Sequence, residues 1–413
     1  KEGLAAAVGS QLRSGGTSRY AADDFDEEVD FLAAEISSSI GPTSGTVSAN
    51  FLAKDTDRAL ELLFEMLRHP AFQPDRLEIH RGQQLQAIER RNDRTDVIES
   101  REWNRLLRGD RHFSSVMSTA ASLAALTRED LVEFHRAWFH PGNFIFAVSG
   151  DFKTSEMKAK LENAMAGWDA AGAAPPQVPK PEYIPAPGVY MVDKPEVNQA
   201  RVSIGHLGIT RGDPDEIAVT ILNGILGGSG FTSRIMNRVR SEEGLAYDAG
   251  SSYSAGIYYA GHFRAGFQSG NATSAQAARI VIDEIERIRR EPVAPEELET
   301  VKNLVVESFP RVFSTSAAIA QTFAADEYTK RDPLFWKTYR DRVHAVTVED
   351  VQRVARDHLH PEKLVILAVG NVGEMMKGNP DKPEYSFSKL AGGEIIRIPL
   401  PDPLTMIYPM RPD

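Results

Sequence analysis

Residues 126–150, LTREDLVEFHRAWFHPGNFIFAVSG, return at residues 346–370 as VTVEDVQRVARDHLHPEKLVILAVG. At a constant spacing of 220, Thr127, Glu129, Asp130, Arg136, His140, Pro141 and Gly150 are matched by Thr347, Glu349, Asp350, Arg356, His360, Pro361 and Gly370. Both stretches have one physical reading. Thr127 or Thr347 caps a helix with acids in its first turn, and Pro141 or Pro361 follows the helix end. An apolar run, Phe144–Val148 or Leu364–Val369, then predicts a buried strand. A second pair of segments, ALELLFEMLRHPAF (59–72) and ARIVIDEIERIRREPVA (278–294), repeats at a spacing of 222 between Pro70 and Pro292. A period this long marks duplication of a whole domain, because solenoid repeats run to only about 20–45 residues.

Between the copies, residues 170–188 contain Pro175, Pro176, Pro179, Pro181, Pro185 and Pro187. Such a stretch holds neither helix nor central strand and reads as a semi-rigid linker. The expected organisation is a first domain over 1–169, the linker over 170–188, a second domain over 189–378 and a Pro-rich extension over 379–413. In the extension, Ile395, Ile396 and Ile398 suggest a docked strand. Val189–Val192 and Ala200–Ile209 read as strands, and Asp215–Leu226 as a helix entered through Gly212-Asp213-Pro214. Helices over 54–68, 75–92, 128–139, 274–290 and 295–309 alternate with short strands. The fold class is therefore α+β: two homologous domains, each an α/β two-layer sandwich of helices on a mixed, largely antiparallel sheet. The repeat spacing projects the first unit to begin roughly thirty residues before Lys1, which is not an initiator Met.

Composition narrows the chemistry. The chain has 413 residues, a net charge of −11, 42% hydrophobic and 25% charged residues, and no cysteine. The acid excess argues against nucleic acid and anionic membrane as partners. Without cysteine there are no disulfides, thiolate metal sites or cysteine nucleophiles. No apolar stretch approaches membrane-spanning length. The acidic run Asp23–Asp30 reads as the solvated face of a helix whose Val29, Leu32, Ala33 and Ile36 point inward.

The most distinctive segment is NGILGGSGFTSRIMNRVRSEEGLAY (223–247). Gly227, Gly228 and Gly230 close a helix and no Lys-Ser/Thr follows, so a phosphate-loop reading fails. SGFTSRIMNRVRSEEGLAY closely resembles the second-domain signature of the insulinase/pitrilysin superfamily, which includes mitochondrial processing peptidase. The resemblance spans nearly the whole chain and implies a metallopeptidase-like fold. In that family an Arg and a Tyr seven positions apart reach the substrate backbone, and they map to Arg240 and Tyr247. A cation and a phenol can both donate to the oxyanion formed during peptide hydrolysis. By the same resemblance Gly227, Gly228 and Gly230 line the substrate chamber.

The family's zinc sits on an H-x-x-E-H helix of the first domain, with a later Glu as third protein ligand. Ala6 and Ser10 stand where the histidines would be, Gly9 where the Glu would be, and Gln86 or Ala87 at the later ligand. None of the ten histidines makes an i,i+4 pair that would rebuild the site. His140 and His360, equivalent in the repeat, read as structural, and no metal is expected in this chain.

The resemblance therefore implies a non-catalytic, zinc-less subunit of a heterodimeric zinc peptidase. A homologous, zinc-bearing partner subunit would supply the metal, and Arg240 and Tyr247 would act across the interface on a peptide or unfolded polypeptide. Residues 45–53 correspond to the edge strand that binds extended substrate in zinc-bearing chains. In isolation the partner-binding surface would serve for a homodimer. Paired bacterial members are often exported, which implies the periplasm. The alternative is a scaffold subunit like the core proteins of respiratory complex III, which share this fold; scaffolding needs neither Arg240 nor Tyr247.

Overall fold

The computed structural model describes residues 1–169, 172 and 174–409. The first half runs α1 (Leu4–Ser14), α2 (Ala22–Phe31), β1 (Glu35–Ile40), β2 (Gly45–Asn50), α3 (Thr56–Arg68), α4 (Pro74–Glu89), α5 (Thr95–Arg108), α6 (Ala120–Ala124), α7 (Arg128–Trp138) and α8 (Thr154–Met165). The second half opens with β3 (Gly188–Asp193) and β4 (Gln199–Leu207). It then repeats the earlier order with α9 (Glu216–Asn223), α10 (Arg234–Met236), β5 (Ala246–Tyr253), β6 (His262–Gly270), α11 (Ser274–Arg290), α12 (Pro295–Ser308), α13 (Ser316–Thr329), α14 (Phe335–Ala345), α15 (Val348–His358), β7 (Val365–Gly370) and α16 (Val372–Lys377). A short α17 (Phe387–Ala391) and β8 (Ile395–Arg397) follow. The duplicated helices α7 and α15 carry the same cap. Thr127 and Thr347 accept from the N–H groups of Asp130 and Asp350, and each carboxylate accepts from the threonine's own N–H.

Six strands form one mixed sheet in the order β5-β6-β4-β7-β3-β8, antiparallel except that β7 and β8 run parallel to β3 on either side. All six residues of β7 are buried, so its sequence is a continuous apolar run and not an alternating one. Ile366 and Ala368 enter the core built with Ile221, Val281 and Val354 of α9, α11 and α15. Val365, Leu367 and Val369 face Ile98, Trp103 and Leu107 of α5. A first-half helix thus covers the outer face of the second-half sheet. Glu99 on α5 is 3% exposed; it accepts from Ser203 Oγ and pairs with Arg201 and Arg264, each at 2.9 Å. The docked strand expected around Ile395 is β8, and Ile398 N–H donates to Met191 O at 2.8 Å.

Two local expectations fail. Residues 144–149 form no strand, and Ile145 and Phe146 are 47% and 37% exposed. In the second half β7 lies between β3 and β4, whereas in the first half β1 and β2 pair only with each other. Without neighbours to take its N–H and C=O groups, the apolar run has no ladder to join. In the acidic segment, α2 ends at Phe31 and Ala33 turns left-handed (φ 47°), so Leu32 and Ile36 are buried but Ala33 is exposed. The acids there are also more than a solvated face: Asp23, Asp26 and Glu28 bond Arg76, Arg13 and Arg58 from α4, α1 and α3.

Residues 174–187 contain neither helix nor strand. Ala170, Ala171 and Ala173 of the expected linker, and residues 410–413 of the expected extension, lie outside the described residues. Among the described residues no helix is long and apolar enough to cross a membrane.

Candidate functional site

The glycine loop is sewn to β5. Past α9 the chain makes a wide turn over Gly224–Gly228. Ser251 Oγ donates to Asn223 Oδ1 at 2.8 Å, and Asn223 Nδ2 to Ser251 O at 3.2 Å. Gly227 is buried, and a Cβ there would stand 2.5 Å from the Ser251 backbone N, so the approach to β5 requires glycine. A Cβ on Gly228 would meet Asn223 Nδ2 at 2.6 Å. Gly230 differs: its φ is 61° and the space around it is open. Hydroxyls hold the turn, with Ser229 Oγ donating to Gly224 O at 2.8 Å and Ser233 Oγ to Gly230 O at 2.7 Å. Of the three glycines expected to line a substrate chamber, Gly227 is buried against β5, whereas Gly228 and Gly230 are exposed.

Beyond the loop, α10 and the wide turn Asn237–Glu242 carry three arginines. Arg234 forks Glu297 with two bonds of 2.7 Å. Arg238 pairs with Glu284 at 2.9 Å and Glu242 at 3.0 Å. Arg240 pairs with no carboxylate among the described residues. Its guanidinium carbon lies 4.5 Å from the centroid of the Tyr247 ring and 4.7 Å from that of Phe231. Tyr247, on β5, is 82% exposed and Phe231 64%. The fold therefore brings Arg240 and Tyr247 into contact and adds Phe231, which the sequence reading missed. The available signal was an aromatic residue directly after a glycine whose open surroundings allow a left-handed turn.

The zinc positions on α1 are empty of ligand chemistry. Ala6 is exposed, Gly9 buried and Ser10 half-buried, while Gln86 and Ala87 on α4 are exposed. A Cβ on Gly9 would stand 2.5 Å from the backbone N of Ile40, so β1 fills the space a Glu side chain would need. Methyl, hydrogen and neutral hydroxyl groups do not make a zinc site.

Elsewhere, the one cluster of metal-ligating side chains among the described residues is Asp213, Asp215 and His358. Both Asp215 oxygens are already held by Arg353, at 2.7 and 3.0 Å, and His358 bonds the same carboxylate at 2.8 Å. Those bonds, Arg353 first, hold the Asp215 pKa down to about 2. This is an internal ion pair. His360 serves structure: its N–H donates to His206 Nε2 at 3.0 Å.

Comparison with known proteins identifies the family and the fold. Residues 6–120 match the model of the insulinase family (peptidase family M16), and residues 125–305 that of the peptidase M16 inactive domain. An uncharacterised zinc protease of Streptomyces coelicolor is 25% identical over 353 residues, which span 83% of this chain and 76% of that protein. The solved peptidase M16 inactive domain from Pseudomonas fluorescens superposes with a TM-score of 0.79 at 24% identity, over 89% of this chain and 88% of that one. A protease from Helicobacter pylori gives 0.74 at 18% identity, over 89% of each chain.

Proposed function

Because the chain belongs to the insulinase (peptidase M16) superfamily, as a member of its inactive-domain type, we propose that it is the zinc-less subunit of a two-chain metallopeptidase. Arg240 and Tyr247 bind the substrate backbone and donate to the carbonyl oxygen that becomes an oxyanion, in a site whose metal and base belong to a homologous partner. The observation that carries the reading is the state of Arg240. Arg234 on α10 and Arg238 on the same turn are locked by glutamates, while the donors of Arg240 itself are unclaimed beside an exposed phenol. Donors held ready before charge develops are the groups that stabilise it. The substrate is an extended or unfolded polypeptide, and the periplasm, checked by cell fractionation, is the compartment that goes with this role.

The test is co-purification with a zinc-bearing homologue from the same organism, then peptide hydrolysis by the mixture. Arg240→Ala or Tyr247→Phe is expected to lower kcat by about a hundredfold, the usual scale for removing one oxyanion donor. Unchanged activity in both variants would sink the shared site and leave a scaffold role. Stoichiometric zinc in the isolated chain would overturn the inactive assignment.

A further inference from the structure

We propose that Phe231 is a positioning residue of this site: with Tyr247 it clamps the Arg240 guanidinium, and the clamp selects an extended polypeptide with an apolar side chain beside the bound carbonyl. The inference rests on the reading of Arg240 and Tyr247 above and deepens it.

The guanidinium lies within 5 Å of both ring centroids, and Phe231 and Tyr247 make no ring contact with each other. The cation therefore bridges them. Guanidinium is planar, so contact through its faces leaves the N–H fork free at the edge, whereas an ion pair would consume that fork. Arg234 and Arg238 illustrate the alternative, their forks spent on Glu297 and Glu284. Acids are also close by without reaching Arg240: Glu242 goes to Arg238, and Glu243 to Lys382 and Gln276.

The loop accounts for where Phe231 stands. Gly227 allows the chain to lie against Ser251 of β5, the strand that also carries Tyr247. Gly230 turns left-handed immediately before Phe231, and the hydroxyls of Ser229, Thr232 and Ser233 bond back across the turn. The glycines thus act on the site through the aromatic residue they deliver. Most of the Phe231 ring remains uncovered, and an apolar side chain of the substrate would cover it.

The probe is a fluorescein-labelled, unstructured peptide of Gly, Ser and Thr with one central Leu, together with its Leu→Gly twin, titrated against the full chain. Wild type is expected to prefer the Leu peptide. Phe231→Ala should weaken binding of the Leu peptide about tenfold and erase the preference. Phe231→Trp should restore both, and Gly230→Ala should resemble Phe231→Ala. A merely structural Phe231 would lower the melting temperature without changing selectivity. If Arg240→Ala abolishes binding while Phe231→Ala behaves as wild type, the clamp is wrong and the Arg240 reading stands. Should Arg240→Ala bind as wild type does, or wild type bind neither peptide, both readings fall. Loss of partner association in Phe231→Ala with peptide binding intact would also overturn the clamp and make Phe231 a subunit contact.

Discussion

The helices α5 and α13 hold the same place in the two copies, at a spacing of 221, yet only α5 is covered. Ile98, Trp103 and Leu107 of α5 bury against the second-half sheet, and Glu99 locks Arg201 and Arg264. Their counterparts on α13 are Ile319, Ala324, Tyr328 and Ala320. No residue of α13 is buried, and Ala320, Ala324 and Tyr328 line an open groove of about 3520 Å³ shared with residues 144–149 and the β1–β2 ribbon. The sheets explain the difference. β7 has β4 and β3 on its two sides and helices on both faces, whereas 144–149 has neither strand neighbour. The groove lies apart from Arg240, Tyr247 and Phe231, none of which lines it. The proposed binding residues thus stand on the finished half of the molecule, where rigid strands and buried helices can hold them.

Hydrogen exchange should break or confirm this contrast most decisively. Amides of Val365–Gly370 are expected to exchange only on global unfolding, and those of 144–149 at least about a thousandfold faster. Equal protection, read by mass spectrometry, would show that the first-half segment is paired after all. Next in size is the α5 clamp. Glu99→Ala leaves Arg201 and Arg264 without their buried partner and should cost about 3–4 kcal/mol in urea unfolding. At the equivalent place, Ala320→Ser should change stability by less than about 0.5 kcal/mol, because Ala320 is not buried and lines the open groove.

A third test uses acid. His206 on β4 is 2% exposed, and burial lowers its pKa to about 4 from the usual 6.5. Its neutral form accepts from His360 N–H and donates to Leu207 O. Below about pH 6.5 the unfolded chain takes up a proton that the folded chain refuses. Stability is therefore full above about 6.5, falls as pH drops, and levels near 4, for a loss of about 3 kcal/mol. Burial lowers His262 on β6 to about 4 as well, and it also lowers His80, His112 and His135 in the first half, so acid should weaken both halves. Urea midpoints at pH 7 and 4.5, with a tryptophan or exchange probe in each half, would read it.

What the sequence disclosed follows from the range of the forces involved. The capped helices α7 and α15 were legible because Thr, Asp and the following Pro act within a few residues. β7 was legible because burial on both faces writes itself as an unbroken apolar run. The same kind of run at 144–148 misled, since a strand exists only with neighbours and those are distant in sequence. Arg240 and Tyr247 were picked out by resemblance to a family signature, not by any local force, and the fold brings them into contact. Phe231 was not found, because its place depends on the backbone turn at Gly230. Nor does any local signal tell α5 to cross onto the other half, since its apolar positions look like those of any amphipathic helix.

The smallest effect is expected where a first look would seek the largest. Restoring histidines by Ala6→His and Ser10→His puts two imidazoles on one face of α1, at an exposed and a half-buried position, so the fold should survive. Zinc should nevertheless fail to bind stoichiometrically. Two ligands on one helix fall short of the three that a catalytic zinc needs, and Gln86 and Ala87 supply no carboxylate. Peptidase activity is further barred by Gly9. The general base would have to grow from that Cα, and its first carbon would already stand 2.5 Å from the Ile40 backbone N, in a strand that cannot withdraw as a flexible side chain could. Adding Gly9→Glu to the pair should therefore unfold the α1–β1 junction without completing a site. Metal content after dialysis and a peptide-hydrolysis assay of the double and triple variants decide the matter. One zinc per chain with measurable turnover once Gly9→Glu is added would mean that β1 yields, and that the first half keeps the peptidase geometry its residues have abandoned.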